Sequence, residues 1–130
     1  MSRSARIRRF FGDDEYEFRL GIGEAETLDE ETGCGLMQLL ERLPLMHVAD
    51  MRAILRNGLI GGGMKRQDAF GLVKRHLVEG YLVEASDVAT AVLIACIRGV
   101  PEDPPDIGVG EQPGEQTSPS RSPTAESVSA

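Results

Sequence analysis

The sequence predicts an α+β fold, mainly α: an N-terminal β-hairpin packed on about five short helices, followed by a disordered tail. Three observations predict it. Tyr16, Phe18 and Leu20 alternate with Glu15, Glu17 and Arg19, the period of a half-buried strand. Later apolar residues recur at three- and four-residue spacing between glycine and proline breaks. Beyond Gly99 the composition turns abruptly to proline, serine and acid. Aromatics are only 5% of the chain and Trp is absent, so the core must be aliphatic, which suits helix packing better than stacked sheets.

The hairpin pairs Ile7–Phe11 with the alternating strand, and Gly12-Asp13-Asp14 supplies the tight turn. A lone hairpin is marginal in water and needs helices on its apolar face. The first helix runs from about Gly23 to Thr32 and stops at Gly33, a residue suited to the position after a helix end. The second is short, with Leu36, Leu39, Leu40 and Leu43 on one face and Pro44 ending it. The third spans about Val48 to Ile60, carries Met51, Ile54, Leu55 and Leu59, and ends at Gly61-Gly62-Gly63. The fourth, about Lys65 to Glu79, places Ala69, Leu72, Val73, His76 and Leu77 on the strongest apolar stripe of the chain. The fifth, about Val83 to Arg98, turns Val88, Ala89, Val92, Leu93 and Cys96 inward. Its additional Ala91, Ile94, Ala95 and Ile97 mark it as the central, most buried helix, closed by Gly99 and Pro101.

At 130 residues the chain makes one domain, expected over residues 1–99, with a tail over residues 100–130. The tail holds six acids against Arg121 alone, a net of −5, and too little apolar surface to offset the entropy of ordering. The remaining body is close to neutral, with 15 acids and 13 bases. The overall charge of −7 argues against nucleic acid as a partner, because phosphate affinity comes from Lys and Arg. Arg3, Arg6, Arg8 and Arg9 read as the solvated face of an edge strand. The basic N-terminus leads into no apolar stretch, so it is not a signal peptide, and Val88–Ile97 is too short to span a bilayer.

Motifs for chemistry are weak. Cys34 and Cys96 are far apart and form no CxxC pair, and the histidines are His47 and His76 alone, so no metal site is expected. Two lone cysteines read as reduced, small apolar residues, which fits a cytoplasmic compartment. The glycine run is followed by Met64-Lys65-Arg66, without the Gly-Lys-Ser/Thr of a phosphate loop, and reads as a chain reversal with backbone close to a neighbour. The acids from Asp13 to Glu31 lack the spacing of a calcium loop and read as a solvated face. His76 reads as a core-edge residue with one hydrogen-bond partner. His47 stands near the N-cap of the third helix, where Asp50 is expected to accept from first-turn N–H groups. Neither an enzyme active site nor a cofactor site is expected. Helices three and four with Lys65, Arg66 and Gln67 leave a helix-turn-helix DNA-binding regulator as a rival reading.

The order of features resembles a known family. Tyr16-Glu17-Phe18-Arg19-Leu20 leads to Leu28-Asp29-Glu30-Glu31-Thr32-Gly33, then to the long stretch from Val48 to Met64 with its specific part at Leu55-Arg56-Asn57-Gly58-Leu59-Ile60-Gly61-Gly62-Gly63-Met64. Asp68-Ala69 and a final Ala-rich helix ending Arg98-Gly99 complete it. Over about residues 6–99 this is similar to the gene-transfer-agent tail protein family, related to phage tail assembly chaperones and sometimes labelled tail tube proteins. One departure is Lys65-Arg66, where Ser or Thr followed by Pro is expected; it weakens the cap of the fourth helix. The resemblance implies a virion-morphogenesis protein of a prophage or gene transfer agent, acting in the host cytoplasm. As a tail assembly chaperone it would bind the tape measure protein and other tail proteins; a tail tube component is the alternative, and self-association stays open. The expected partner-binding residues are Leu59, Ile60, Gly61, Gly62, Gly63 and Met64. An adaptable surface of Met37, Met46, Met51 and Met64 is weighed against their use as core filler.

Overall fold

The computed structural model describes residues 2–101. Nearly all of the expected disordered tail therefore lies outside the described residues. The N-terminal hairpin and five helices are present. Strand β1 is Arg3–Ser4, β2 is Arg6–Phe11 and β3 is Asp14–Arg19. Helices α1 (Ile22–Thr32), α2 (Leu36–Arg42), α3 (Val48–Gly61), α4 (Arg66–His76) and α5 (Leu82–Arg98) follow, and β4 is Val100–Pro101.

β2 and β3 are antiparallel, with Ile7 opposite Phe18 and Arg8 opposite Glu17. Gly12 turns the chain at φ +74°. Period-2 alternation sorts the two faces. Ile7, Phe11 and Phe18 are buried, while Arg6 and Arg8 pair with Glu15 and Glu17 on the solvent side. Such exposed pairs contribute only about 0–1 kcal/mol each, so the buried face holds the hairpin down.

Helix α1 starts with Glu24 accepting from the Gly21 N–H at 3.0 Å and ends at left-handed Gly33, whose N–H reaches the Asp29 carbonyl at 2.8 Å. In α2, Gln38 caps Gly35 in the same way at 2.9 Å. Pro44 does not stop the chain outright: it sits in a 3-10 turn, Leu43–Leu45, that follows α2 directly. This is compatible with proline chemistry, because Pro is tolerated in a first helical turn, where its missing N–H has no partner to lose. Met46 then leaves the turn at φ 64°.

Two expectations about the helices need correction. The central helix is α3, not α5: α3 packs against β3, α1, α4 and α5 and buries Met51, Ala53, Ile54, Leu55 and Leu59. Helix α5 is more apolar in sequence, yet its Ile94 and Ile97 are exposed, because only one of its faces meets the rest of the fold. Asp50 does not cap α3. It is buried and turned toward Arg42, whose Nε stands 3.1 Å from Oδ2 and whose Nη2 donates to Oδ1 at 3.4 Å. In addition, α4 stops at His76 rather than near Glu79. Leu77 keeps the spacing of the apolar stripe, but its backbone has already left the helix (φ −89°, ψ 83°) to begin the turn into α5.

The glycine run has the role expected of it. A Cβ on Gly61 would overlap the carbonyl oxygen of Arg19, and one on Gly62 that of Glu17. A Cβ on Gly58 would press to 3.2 Å from Phe18 and Val92. The C-terminal end of α3 thus lies directly on the backbone of β3. At the other end of the body, Val100 and Pro101 pair with Ser4 and Arg3, so regular structure continues two residues past Gly99.

Replacing Gly61 with Ala should therefore cost about 1–3 kcal/mol, as for other forced overpacking. Gly71→Ala, in the middle of α4 where the new methyl meets only Arg75 at 3.5 Å, should instead gain about 0.5–1 kcal/mol. Urea unfolding of the two variants tests the opposite signs.

Candidate functional site

An apolar groove opens where the hairpin turn meets the loop between α4 and α5. Its volume is about 470 Å³. Phe10 and Phe11 come from the end of β2, Val78 and Tyr81 from the loop, and Ala85 and Val88 from the first half of α5. Phe11 and Ala85 belong to the core and form the floor. Phe10 and Tyr81 are 63% and 59% exposed, large values for aromatic side chains on a domain this poor in them. Arg75 and Glu84 place one charge of each sign at the rim. A concave apolar surface with a few polar groups at its edge fits an apolar helix face or side chain from a partner.

The groove's wall is held by a local polar network. The Tyr16 hydroxyl donates to Asp13 Oδ1 at 2.7 Å, and His76 Nε2 stands 3.5 Å from the same oxygen. The His76 ring meets Phe11 edge-on, with centroids 5.9 Å apart, and lies under the turn where a Cβ on Gly12 would strike it. The hydrogen bond from Tyr16 holds the Asp13 carboxyl below its ordinary range, and the same bond raises the Tyr16 hydroxyl. His76 is thus a core-edge residue, as its sequence position predicts, but it lacks the hydrogen-bond partner expected of it, since its buried Nε2 makes no hydrogen bond among the described residues. Its ring supports the hairpin turn and also lines the groove.

A second concavity, of about 640 Å³, lies between α3 and α4. Arg52, Arg56 and Lys74 surround it, and Phe70, Val73 and Leu77 form its apolar part. The Arg56 guanidinium lies over the Phe70 ring at 4.5 Å, and that of Arg66 at 5.4 Å.

The expected partner-binding segment divides by exposure. Leu59 is buried, Gly61 and Gly62 are engaged with β3, Ile60 and Met64 are half-buried, and Gly63 faces solvent. Lys65, Arg66 and Gln67 are exposed at the start of α4, and Lys65 makes no side-chain cap there. The methionines divide too: Met51 is fully buried, whereas Met37 and Met46 are exposed. Both cysteines are free thiols; an Arg42 N–H donates to Cys34 Sγ, and burial raises the Cys96 thiol. Glu24 and Glu31 of the acidic run are in use, Glu24 as a cap and Glu31 as partner to Arg56 and Asn57. Among the described residues no cluster of His, Cys, Asp or Glu could hold a metal, and no helix is long and apolar enough to cross a membrane. Sequence reasoning missed Phe10, Val78 and Tyr81, which stand in or beside chain breaks and carry no helical or strand period.

Comparison with known proteins gives a family match. The model of the family described as phage tail tube protein, GTA-gp10, covers residues 4–99. No curated protein and no solved structure matches the chain.

The Tyr16–Asp13 bond has a pH signature. Its contribution through Asp13 is present above the ordinary value of 3.8 and fades as pH falls through the lowered folded value. Its contribution through Tyr16 is present below 10.0 and fades as pH rises through the raised one. Tyr16→Phe should move the Asp13 carboxyl titration back up toward 3.8, followed by carbon-detected NMR of the side-chain carboxyl.

Proposed function

This chain belongs to the phage tail tube protein, GTA-gp10 family, and from that premise we propose that it serves tail morphogenesis as an assembly chaperone that binds the tape measure protein. The observation that carries the reading is the apolar groove at Phe10, Val78 and Tyr81. A long helical client exposes an apolar stripe until tube subunits enclose it. A small domain that covers part of that stripe keeps the client in solution, and the groove offers an apolar, aromatic-edged seat for one helix face. The exposed Met37 and Met46 add adaptable apolar surface elsewhere on the domain. The segment Leu59–Met64 enters the reading through Gly63 and the open sides of Ile60 and Met64 alone, because its other residues are engaged inside the fold. On this reading the protein acts in the host cytoplasm while particles assemble.

A second reading, a structural part of the tail tube, is favoured by the family description and by one feature of the sheet. Strand β2 pairs only with β3, so its other edge has no strand partner among the described residues. Copies joined through such edges would build a wall that one chain cannot. The arginines of β2 and the shortness of the hairpin argue for the chaperone instead.

Co-expression with the tape measure protein of the same locus tests the first reading. The client should become soluble and co-purify. Phe10→Lys with Tyr81→Lys should weaken that capture about tenfold or more, as for loss of aromatic anchors. Both sites are exposed, so the melting temperature should hold. A protein that polymerises alone and leaves the client insoluble would reject the chaperone reading in favour of the tube.

A further inference from the structure

The groove between α3 and α4 has a charge problem that the folded domain leaves unsolved. Arg52, Arg56 and Lys74 converge on it, and Arg66 joins them across the Phe70 ring. None of the residues lining it is acidic. Among the described residues the one carboxylate that reaches these cations is Glu31, whose Oε1 is 3.8 Å from Arg56 Nη2, a long and weak contact. Arg56 Nε is buried and donates to no group among the described residues. Arg52 and Lys74 have no carboxylate within salt-bridge distance among those residues. The body as a whole is near neutral, so this is a local surplus of positive charge over an apolar floor.

The complementary surplus lies in the same chain. Residues 102–130 carry six carboxylates and one arginine, with Ile107, Val109 and several prolines between the acids. We propose that this acidic segment occupies the cationic groove between α3 and α4. Carboxylates meet the guanidinium and ammonium groups, and the interspersed apolar residues cover Phe70 and the open side of Leu77. Arg guanidinium binds carboxylate through paired N–H donors, and Arg52 and Lys74 present their charges on the exposed side of the groove. Reach is not limiting. The segment extends to roughly 95 Å at most, against a radius of gyration of about 13 Å for a domain of this size. Tethering also raises its local concentration to the millimolar range, so a weak contact suffices. The phosphates of a nucleic acid are a poorer fit, because they come at no such concentration and make no use of the apolar floor. The consequence is that an anionic partner competes with this segment for the groove. This inference stands apart from the client-binding reading, which uses a different surface.

The test is a comparison of nitrogen-15 NMR spectra of the full chain with a variant carrying Glu102→Gln, Asp103→Asn, Asp106→Asn, Glu111→Gln and Glu115→Gln. All five changes lie outside the described residues. At low salt the amides of Gly71, Val73 and Lys74 and the Arg56 Nε–H should shift between the two proteins. About 0.5 M salt should collapse the difference, since the Debye length is then well under 8 Å. Arg52→Glu with Lys74→Glu in the full chain should remove the dependence on the segment's charge, with an unchanged far-ultraviolet spectrum. A short DNA duplex added as competitor should bind the groove of the neutralised variant at least tenfold more tightly than that of the natural chain. Coincident groove signals at low salt, shifts confined to the arginines of β2, or equal duplex binding by both proteins would each overturn the proposal.

Discussion

The fold depends on the contact between the C-terminal end of α3 and the backbone of β3. Gly61 and Gly62 place helix backbone against the carbonyls of Arg19 and Glu17, at a distance no side chain permits. That contact closes the side of β3 away from β2, so one strand edge of the hairpin is covered by a helix. It also brings Gly58 over Phe18 and Val92, which locks the hairpin's main aromatic residue and α5 to the same helix. The two-stranded sheet, too small to stand alone, becomes one wall of a core whose centre is α3. Large aliphatic residues such as Leu28, Ile54, Leu59 and Leu93 fill that core, each contributing on the order of 1.5–3 kcal/mol.

Charge is distributed with a similar economy of roles. Carboxylates of the N-terminal half that look like an undirected acidic run are mostly committed: to caps in α1, to the arginines of β2, to Asn57 and Arg56 of α3, and to the hairpin turn. The buried Asp50 ties α3 to the end of α2 through Arg42. The two concavities described above differ in kind. The one beside the hairpin turn is apolar with mixed charges at its rim; the one between α3 and α4 is ringed by cations. Distinct surfaces of this sort let a small domain meet two partners, or one partner and its own chain, without competition between them.

Much of the fold is legible in the sequence because local patterns decide it. The alternation around Tyr16 and Phe18 fixes the hairpin and its inward face, and Gly33 marks the end of α1. What is not legible depends on residues distant in the chain. The identity of Gly61 and Gly62 is plain, but the strand they touch lies some forty residues earlier, and no spacing rule connects the two. Helix α5 reads as central because it is the more apolar, yet burial follows position in the assembly, and α3 is the helix with neighbours on several sides. Leu77 prolongs the apolar stripe of α4 after the backbone has turned, since a side chain can keep facing the core from a loop. The candidate groove is the least legible feature: Phe10 sits on the solvent face of its strand opposite Glu15, and Tyr81 sits in a turn. Only tertiary packing makes them neighbours.

The pairing of Arg3–Ser4 with Val100–Pro101 gives the domain a geometric polarity. The segments that enter and leave the body are stitched together at the open end of the hairpin, while the apolar groove lies at its turn, roughly 20 Å away along six residues of strand. A tag or reporter joined directly ahead of Arg3 therefore emerges from one pole and leaves the opposite pole unobstructed. Such an arrangement sets the entry and exit of the folded body at one end and its apolar groove at the other.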